Sequence, residues 1–131
     1  MTTATKEIQR LDKFLRMYKS GVGQLVYVIG TTNQSRYSVD VPAHVRNYTA
    51  QELTDTIIQG DSLVIISSTQ INAVQWPGSQ PTPPVPGNDV RVPRRGYKFI
   101  WEGTDRNVES CEPFYFEGQL VRLEMQVRGM E

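Results

Sequence analysis

Between Trp76 and Gly96 the chain carries six of its eight prolines, in the run Trp-Pro-Gly-Ser-Gln-Pro-Thr-Pro-Pro-Val-Pro-Gly-Asn-Asp-Val-Arg-Val-Pro-Arg-Arg-Gly. Proline offers no backbone N–H to a ladder and fixes φ near about −65°, so this stretch is neither a central strand nor a helix interior. It is expected to project as a stiffened, partly extended loop. Loops of such length inside a compact domain are uncommon and are usually either functional or disordered. The expectation is a domain that works by presenting a long arm to something else.

The residues around the arm are patterned for strands, with one helix in front. Ile8, Leu11, Leu15 and Tyr18 recur at helical spacing while Lys6, Arg10 and Lys13 fall on the other side, which predicts a helix over 5–19 with Gly21 and Gly23 as its stop. After the glycines the period becomes two. Leu25 to Ile29 reads as a strand, and Tyr37, Val39, Val41 and Val45 read as a half-buried one with Pro42 at an edge or a bulge. A short helical turn is expected around Gln51 to Thr54, and Gln59-Gly60-Asp61 as a tight turn. The unbroken run Leu63 to Ile66 reads as a strand buried on both faces. Beyond the arm, Tyr97, Phe99 and Trp101 share one face, Glu102 to Asp105 forms a hairpin turn, and Pro113 interrupts the next segment. Phe114 to Gly118 turns into the last strand, where Val121, Leu123, Met125 and Val127 alternate with Arg122, Glu124, Gln126 and Arg128. The fold class expected is mainly β: one domain over 1–131, a small antiparallel barrel or sandwich with an N-terminal helix and the projecting loop 76–96.

At 131 residues the chain suffices for one core but not for a core plus a deep walled cleft. Its formal net charge is zero, yet the signs are segregated. Residues 1 to 19 carry Lys6, Arg10, Lys13, Arg16 and Lys19 against two acids; residues 91–98 hold Arg91, Arg94, Arg95 and Lys98 with none; and from Phe99 onward seven acids face three arginines. A neutral chain with separated signs fits head-to-tail contact between neighbours better than coating of nucleic acid, which favours a net basic domain. The single Cys111 rules out an internal disulfide, and with one His44 no zinc constellation can be assembled. No stretch approaches the roughly 18 apolar residues of a membrane span, so a soluble protein made in a cytosol, without membrane contact, is expected.

Chemistry-bearing residues give little. His44 has no accompanying nucleophile motif and reads as a strand-end or interface residue; Cys111 reads as a small apolar core residue. Asp40, Asp55 and Asp61 have no spacing that sets them on one face, and Asp61 is better explained as a turn residue whose side chain bonds backbone amides. Gly21-Val22-Gly23 follows a helix and precedes a strand, the reverse of a phosphate-cradling loop. No catalytic residue, cofactor or metal is therefore expected. Arg91, Arg94, Arg95 and Lys98 at the base of the arm leave three readings open: facing phosphates, facing a neighbouring subunit, or solvated. Trp76, Tyr97 and Trp101 fit either a base-stacking platform, as in oligonucleotide-binding barrels, or core packing.

Over Asp55 to Ile71, then Arg95 to Gly103, then the closing Leu123-Glu-Met-Gln-Val-Arg-Gly129, the chain resembles the head-closure or stopper proteins of tailed bacteriophages. The shared pattern is a glycine-aspartate turn into an apolar strand, a second turn-strand-turn unit, and a terminal strand ending in Val-Arg-Gly. It covers roughly Tyr18 to Gly129. The resemblance implies a non-enzymatic β-barrel repeated as a homo-oligomeric ring in the virion neck, below the portal and its adaptor. Such a ring seals the packaged double-stranded DNA and receives the tail through a tail-completion or tail-terminator protein. Mapped here, it makes Trp76, Pro81, Pro83, Pro84, Pro86, Arg91, Arg94 and Arg95 candidates for ring or neighbouring-ring contact. Arg122, Glu124 and Arg128 make a possible second interface, and Arg94, Arg95 and Lys98 are the possible DNA-facing cations. The proline density of the arm has no counterpart in the family pattern.

Overall fold

The computed structural model describes residues 3–17, 21–29, 35–78, 89 and 91–129. They form helix α1 (Thr3–Met17), strands β1 (Gly21–Ile29), β2 (Ser35–Asn47) and β3 (Asp61–Ser67), helix α2 (Ser68–Ala73), and strands β4 (Lys98–Trp101), β5 (Thr104–Phe116) and β6 (Gln119–Gly129). Every strand pairing is antiparallel, and the order β1-β2-β3-β6-β5-β4 closes on itself through β4 and β1. Of the two architectures open to the sequence, the barrel is the one adopted.

Inward residues from every strand fill the barrel, among them Leu25, Val41, Val64, Phe99, Val108 and Met125, each essentially inaccessible to water. Burying a side chain of this size contributes about 1.5–3 kcal/mol, so this interior is the main source of stability. β3 is buried along almost its whole length between β2 and β6, as its unbroken apolar run predicts. The turns before and after β5 use left-handed backbone: Glu102 and Gly103 at φ 51° and 77°, Glu117 and Gly118 at φ 53° and 76°. Two consecutive residues of positive φ make the tight hairpin whose twist matches that of its strands.

Gly21 and Gly23, expected as the stop of the helix, belong to a strand. Both lie inside β1, and what matters there is room rather than conformational freedom. A Cβ on Gly23 would stand 2.3 Å from Phe99 Cζ, and one on Gly21 would stand 2.6 Å from a ring carbon of Trp101. Those rings, stacked at 17° with centroids 6.0 Å apart, lie across the strand. Because Phe99 is fully buried and cannot swing aside, Gly23→Ala is expected to lower the unfolding free energy by about 1–3 kcal/mol in urea titrations. Gly21→Ala, opposite the half-exposed Trp101, should cost less.

Both strand prolines sit where a ladder partner is lacking on one side. β2 pairs with β3 only over His44–Asn47, so Pro42 meets β1 alone among the described residues. β5 pairs with β4 only up to Asn107, and Pro113 lies beyond it. β5 nevertheless runs straight through Pro113, which pairs with Leu123, rather than breaking there. The expected turn near Gln51 is a 3-10 turn, Ala50–Glu52, with Thr49 N–H donating to Glu52 Oε1 at 2.8 Å. Helix α1 spans Thr3–Met17; Tyr18 and Lys19, the end of the expected helix, lie outside the described residues. α1 packs on the outside of the barrel, chiefly over β6. Its Asp12 carboxylate accepts bonds from Ser67 Oγ and, at 2.8 Å, Thr69 Oγ1, clamping the start of α2.

Candidate interaction surface

β3 leaves the barrel at Ser67, whose side chain caps α2 by accepting from Thr69 N–H at 3.2 Å. The short helix delivers the chain to Trp76. Its indole is 3% exposed and packs between Tyr37, stacked at 24°, and Tyr97, edge-on at 78°. With Tyr27 against Tyr97 at 5.1 Å these rings plug one end of the barrel. Trp76 is thus a core residue that anchors the loop, not a contact residue of the arm. Buried Tyr97 likewise cannot serve as a base-stacking platform, so core packing is the arrangement found for these rings.

Pro81, Pro83, Pro84 and Pro86 lie outside the described residues. The returning limb begins at Asp89, which is a structural hub. Arg91 donates to it through its backbone N–H at 2.9 Å and through Nε and Nη2, and the hydroxyl of Tyr115 donates to its Oδ2 at 3.1 Å. The Arg91 bonds, against the opposing effect of burial, hold the Asp89 carboxyl below its ordinary range. Arg91 Nη1 also reaches Asn72 Oδ1 on α2 at 3.0 Å. The loop root is therefore bolted at once to α2 and to the β5–β6 hairpin.

The other sequence-derived cations are also engaged within the chain. Arg95, with its side chain 82% exposed, leans towards Glu109 at 3.7 Å; Arg94 is half-buried beside it and is also engaged within the chain; and Lys98 donates to Asn107 Oδ1 at 3.0 Å. Arg128 shares Glu109 with Arg95, its Nη1 approaching that carboxylate at 3.5 Å, while its Nε and Nη2 donate to Asp61 at 2.8 and 3.0 Å. Asp61 is the turn residue expected, accepting Ile58 N–H at 3.0 Å, and Gln126 Nε2 at 2.8 Å as well. Burial alone would raise its pKa, but Arg128, the Ile58 amide and Gln126 outweigh that and hold it below the usual carboxylate value. Arg122 pairs with Glu124 at 2.7 Å and lies 4.5 Å over the Phe114 ring. The strand face proposed as a second interface is thus stitched within the chain.

Cys111 lies opposite Met125 and packs against the core. Burial first, then Glu112 and Glu124, push its thiol up to about 12. At pH 8 only about one molecule in ten thousand would carry the reactive thiolate. Iodoacetamide should therefore leave the native protein unmodified over hours and react at once after unfolding in urea, read by intact-mass spectrometry. His44 sits in β2 opposite Ile65.

The surface that sequence reasoning missed is the hairpin tip. Phe114, Tyr115 and Phe116 are 36%, 47% and 43% exposed, three consecutive aromatics next to the loop root. The signal was available, because 112, 114 and 116 share the face that alternation assigns outward. Tyr115 is tied to Asp89 and Phe114 lies under the Arg122 guanidinium, so Phe116 is the ring of the three with no such partner among the described contacts. Among the described residues no helix is long and apolar enough to cross a membrane. No family model, characterised protein or solved structure is similar enough to this chain to place it in a family.

Proposed function

We propose that the chain is a non-enzymatic structural subunit of the neck of a tailed bacteriophage. It would assemble as a homo-oligomeric ring between portal or adaptor and tail, closing the filled head, retaining DNA and offering the tail its docking surface. The observation that carries this reading is the convergence, at one end of a solidly packed barrel, of the bolted root of the proline-rich loop and the exposed aromatic hairpin. A rigid body with two projecting contact elements at one end suits head-to-tail association, which closes into a ring when the rotation per subunit allows.

Imaging of particles made without this chain tests the reading. Full heads that leak genome and lack tails are the expected result. Tailed particles that retain DNA would sink it, and complete heads with tails of abnormal length would assign the chain to the tail terminus instead. Retention of single-stranded DNA that weakens with salt and with Arg95→Ala would favour an oligonucleotide-binding module.

A further inference from the structure

Among the described side chains of α1 the exposed ones are Lys6, Gln9, Arg10 and Lys13, all of them hydrogen donors and three of them cations. At 3.6 residues per turn these positions fall on one side of the helix. The opposite side is fixed to the barrel. Asp12 accepts from Ser67 Oγ and Thr69 Oγ1, and Leu11 lines a cavity of about 300 Å³ with Ile65 of β3 and Val121 of β6. Pinned in this way, α1 holds its basic face to solvent.

The zero net charge of the chain does not describe that face. Arg46, Arg91, Arg95, Arg122 and Arg128 lie against Glu52, Asp89, Glu109, Glu124 and Asp61 of the same chain. On α1 the acids do less. Asp12 is taken up beneath the helix, and Glu7 reaches Arg10 at 2.9 Å in an exposed pair, a kind worth about 0–1 kcal/mol. Lys6 and Lys13 have no ion pair or hydrogen bond among the described residues.

A face of this composition selects its partner. Insertion into a bilayer needs an apolar side, and that of α1 already lies on the barrel. Tight protein interfaces draw their energy from buried aromatic and aliphatic anchors, and none of the four exposed side chains is one. The phosphate backbone of nucleic acid needs no such anchor, because lysine and arginine bind it by releasing its condensed counterions. From Lys6 to Lys13 the helix rises about 10 Å, roughly three nucleotide steps of one DNA strand.

We propose that the outward face of α1, with Lys6, Arg10 and Lys13 as its cations and Gln9 as a further donor, docks on the phosphate backbone of double-stranded DNA. The contact is independent of base sequence and weak for one copy, and a ring of copies multiplies it. It rests on the neck reading for the source of the DNA. It also moves the DNA contact away from Arg94, Arg95 and Lys98, which are engaged within the chain.

Two variants of the full chain test it. One carries Lys6→Gln, Arg10→Gln and Lys13→Gln; the other carries Arg94→Gln, Arg95→Gln and Lys98→Gln. Circular dichroism verifies that both fold. With a labelled duplex of about 30 base pairs in about 20 mM salt, the natural chain should bind unrelated sequences equally, log K falling against log[salt] with a slope of about −2 to −3. The first variant should bind at least about tenfold more weakly with a slope near zero, whereas the second should stay within about twofold of the natural chain. Duplex at concentrations on the order of millimolar should also move the amide resonances of residues 5–13 in the natural chain. Unmoved resonances overturn the proposal, and so do equal binding by the first variant and a loss in the second variant as large as in the first. Anionic vesicles or polyglutamate that bind where the duplex does not overturn it as well, and assign the face to a membrane or to an acidic protein. The neck reading is judged separately, by particles lacking the chain. Loss of tails there without duplex binding refutes the contact alone; tailed particles that retain DNA, with duplex binding through α1, refute the neck role and leave the contact standing.

Discussion

Trp76→Ala is expected to lower the free energy of unfolding by about 3–5 kcal/mol, the cost of removing a large aromatic from a site that cannot collapse around the void. The indole is held between Tyr37 and Tyr97, and Tyr97 is itself packed against Tyr27, so that wall cannot close in. Against a total of about 5–15 kcal/mol for a domain of this size, that is a large share. Urea titration followed by far-ultraviolet circular dichroism measures it. Trp76→Phe, which keeps a ring in the stack, should lose no more than about 1–2 kcal/mol by the same measurement. If the alanine variant unfolds at the same urea concentration as the natural chain, the end plug is not a stability element and the loop is anchored elsewhere. Loss of the plug also frees the outgoing limb of the loop, so the alanine variant should be cut by protease within 76–96 faster than the phenylalanine variant.

The second large effect belongs to Asp61, whose side chain is entirely shielded from water while accepting from Ile58, Gln126 and Arg128. Asp61→Ala strands the Ile58 amide and one donor contact of Gln126 in a covered site. A loss of about 2–4 kcal/mol is expected, arising from those covered donors, since the guanidinium of Arg128 is a third exposed and recovers water. The pH dependence follows from the sign of the shift. Asp61 is ionised more readily in the folded chain than in the unfolded one, so the unfolded state binds more protons as the pH falls. Its contribution is complete above the unfolded carboxylate value, near about 4, and disappears as the pH drops through the lower folded value. Asp89 acts in the same direction, and so does Glu52, which Arg46 and the Thr49 amide draw down to about 2. Urea midpoints of the natural chain should therefore be flat above about pH 5 and fall towards about pH 2, with a shallower fall in Asp61→Ala. An identical slope in the two proteins would remove Asp61 from the acid-sensitive set.

Much of the barrel was legible because strands advertise themselves by period. β6, with Val121, Leu123, Met125 and Val127 on alternate positions, was read in place, and so was β3 from its unbroken apolar run. The turns at Glu102-Gly103 and Glu117-Gly118 were equally plain, since few residue pairs tolerate positive φ. Helix α2 was not seen, because six residues are too few for a helical period to rise above a strand-like apolar spacing. Gly21 and Gly23 misled for a different reason. Glycine signals spare room as well as backbone freedom, and only the facing rings of Trp101 and Phe99 tell which one counts. Trp76 was assigned to the arm by its proline-rich neighbours, although a tryptophan that opens such a segment serves as its anchor. Gln126 illustrates a limit of patterning altogether: it stands on the outward face, yet the loop carrying Thr56 covers it and accepts its Nε2–H at 2.6 Å. At the candidate surface the cations drew attention through their charge, whereas intrachain acids already engage most of them. Phe114 and Phe116 were passed over because they were read as part of the turn into the last strand, whereas β5 runs on to Phe116.

Both feet of the proline-rich excursion are fastened by neighbours within the barrel: Trp76 between Tyr37 and Tyr97 on one side, and Asp89 and Arg91 against Tyr115 and Asn72 on the other. Closing a longer excursion between feet already fixed costs little, about 0.6 kcal/mol for each doubling of its length. The scaffold is therefore indifferent to the cargo it carries there. Foreign epitopes, spacers or sequences of another binding preference can be spliced between the two feet, and related chains can diverge in that stretch while the body beneath them stays the same.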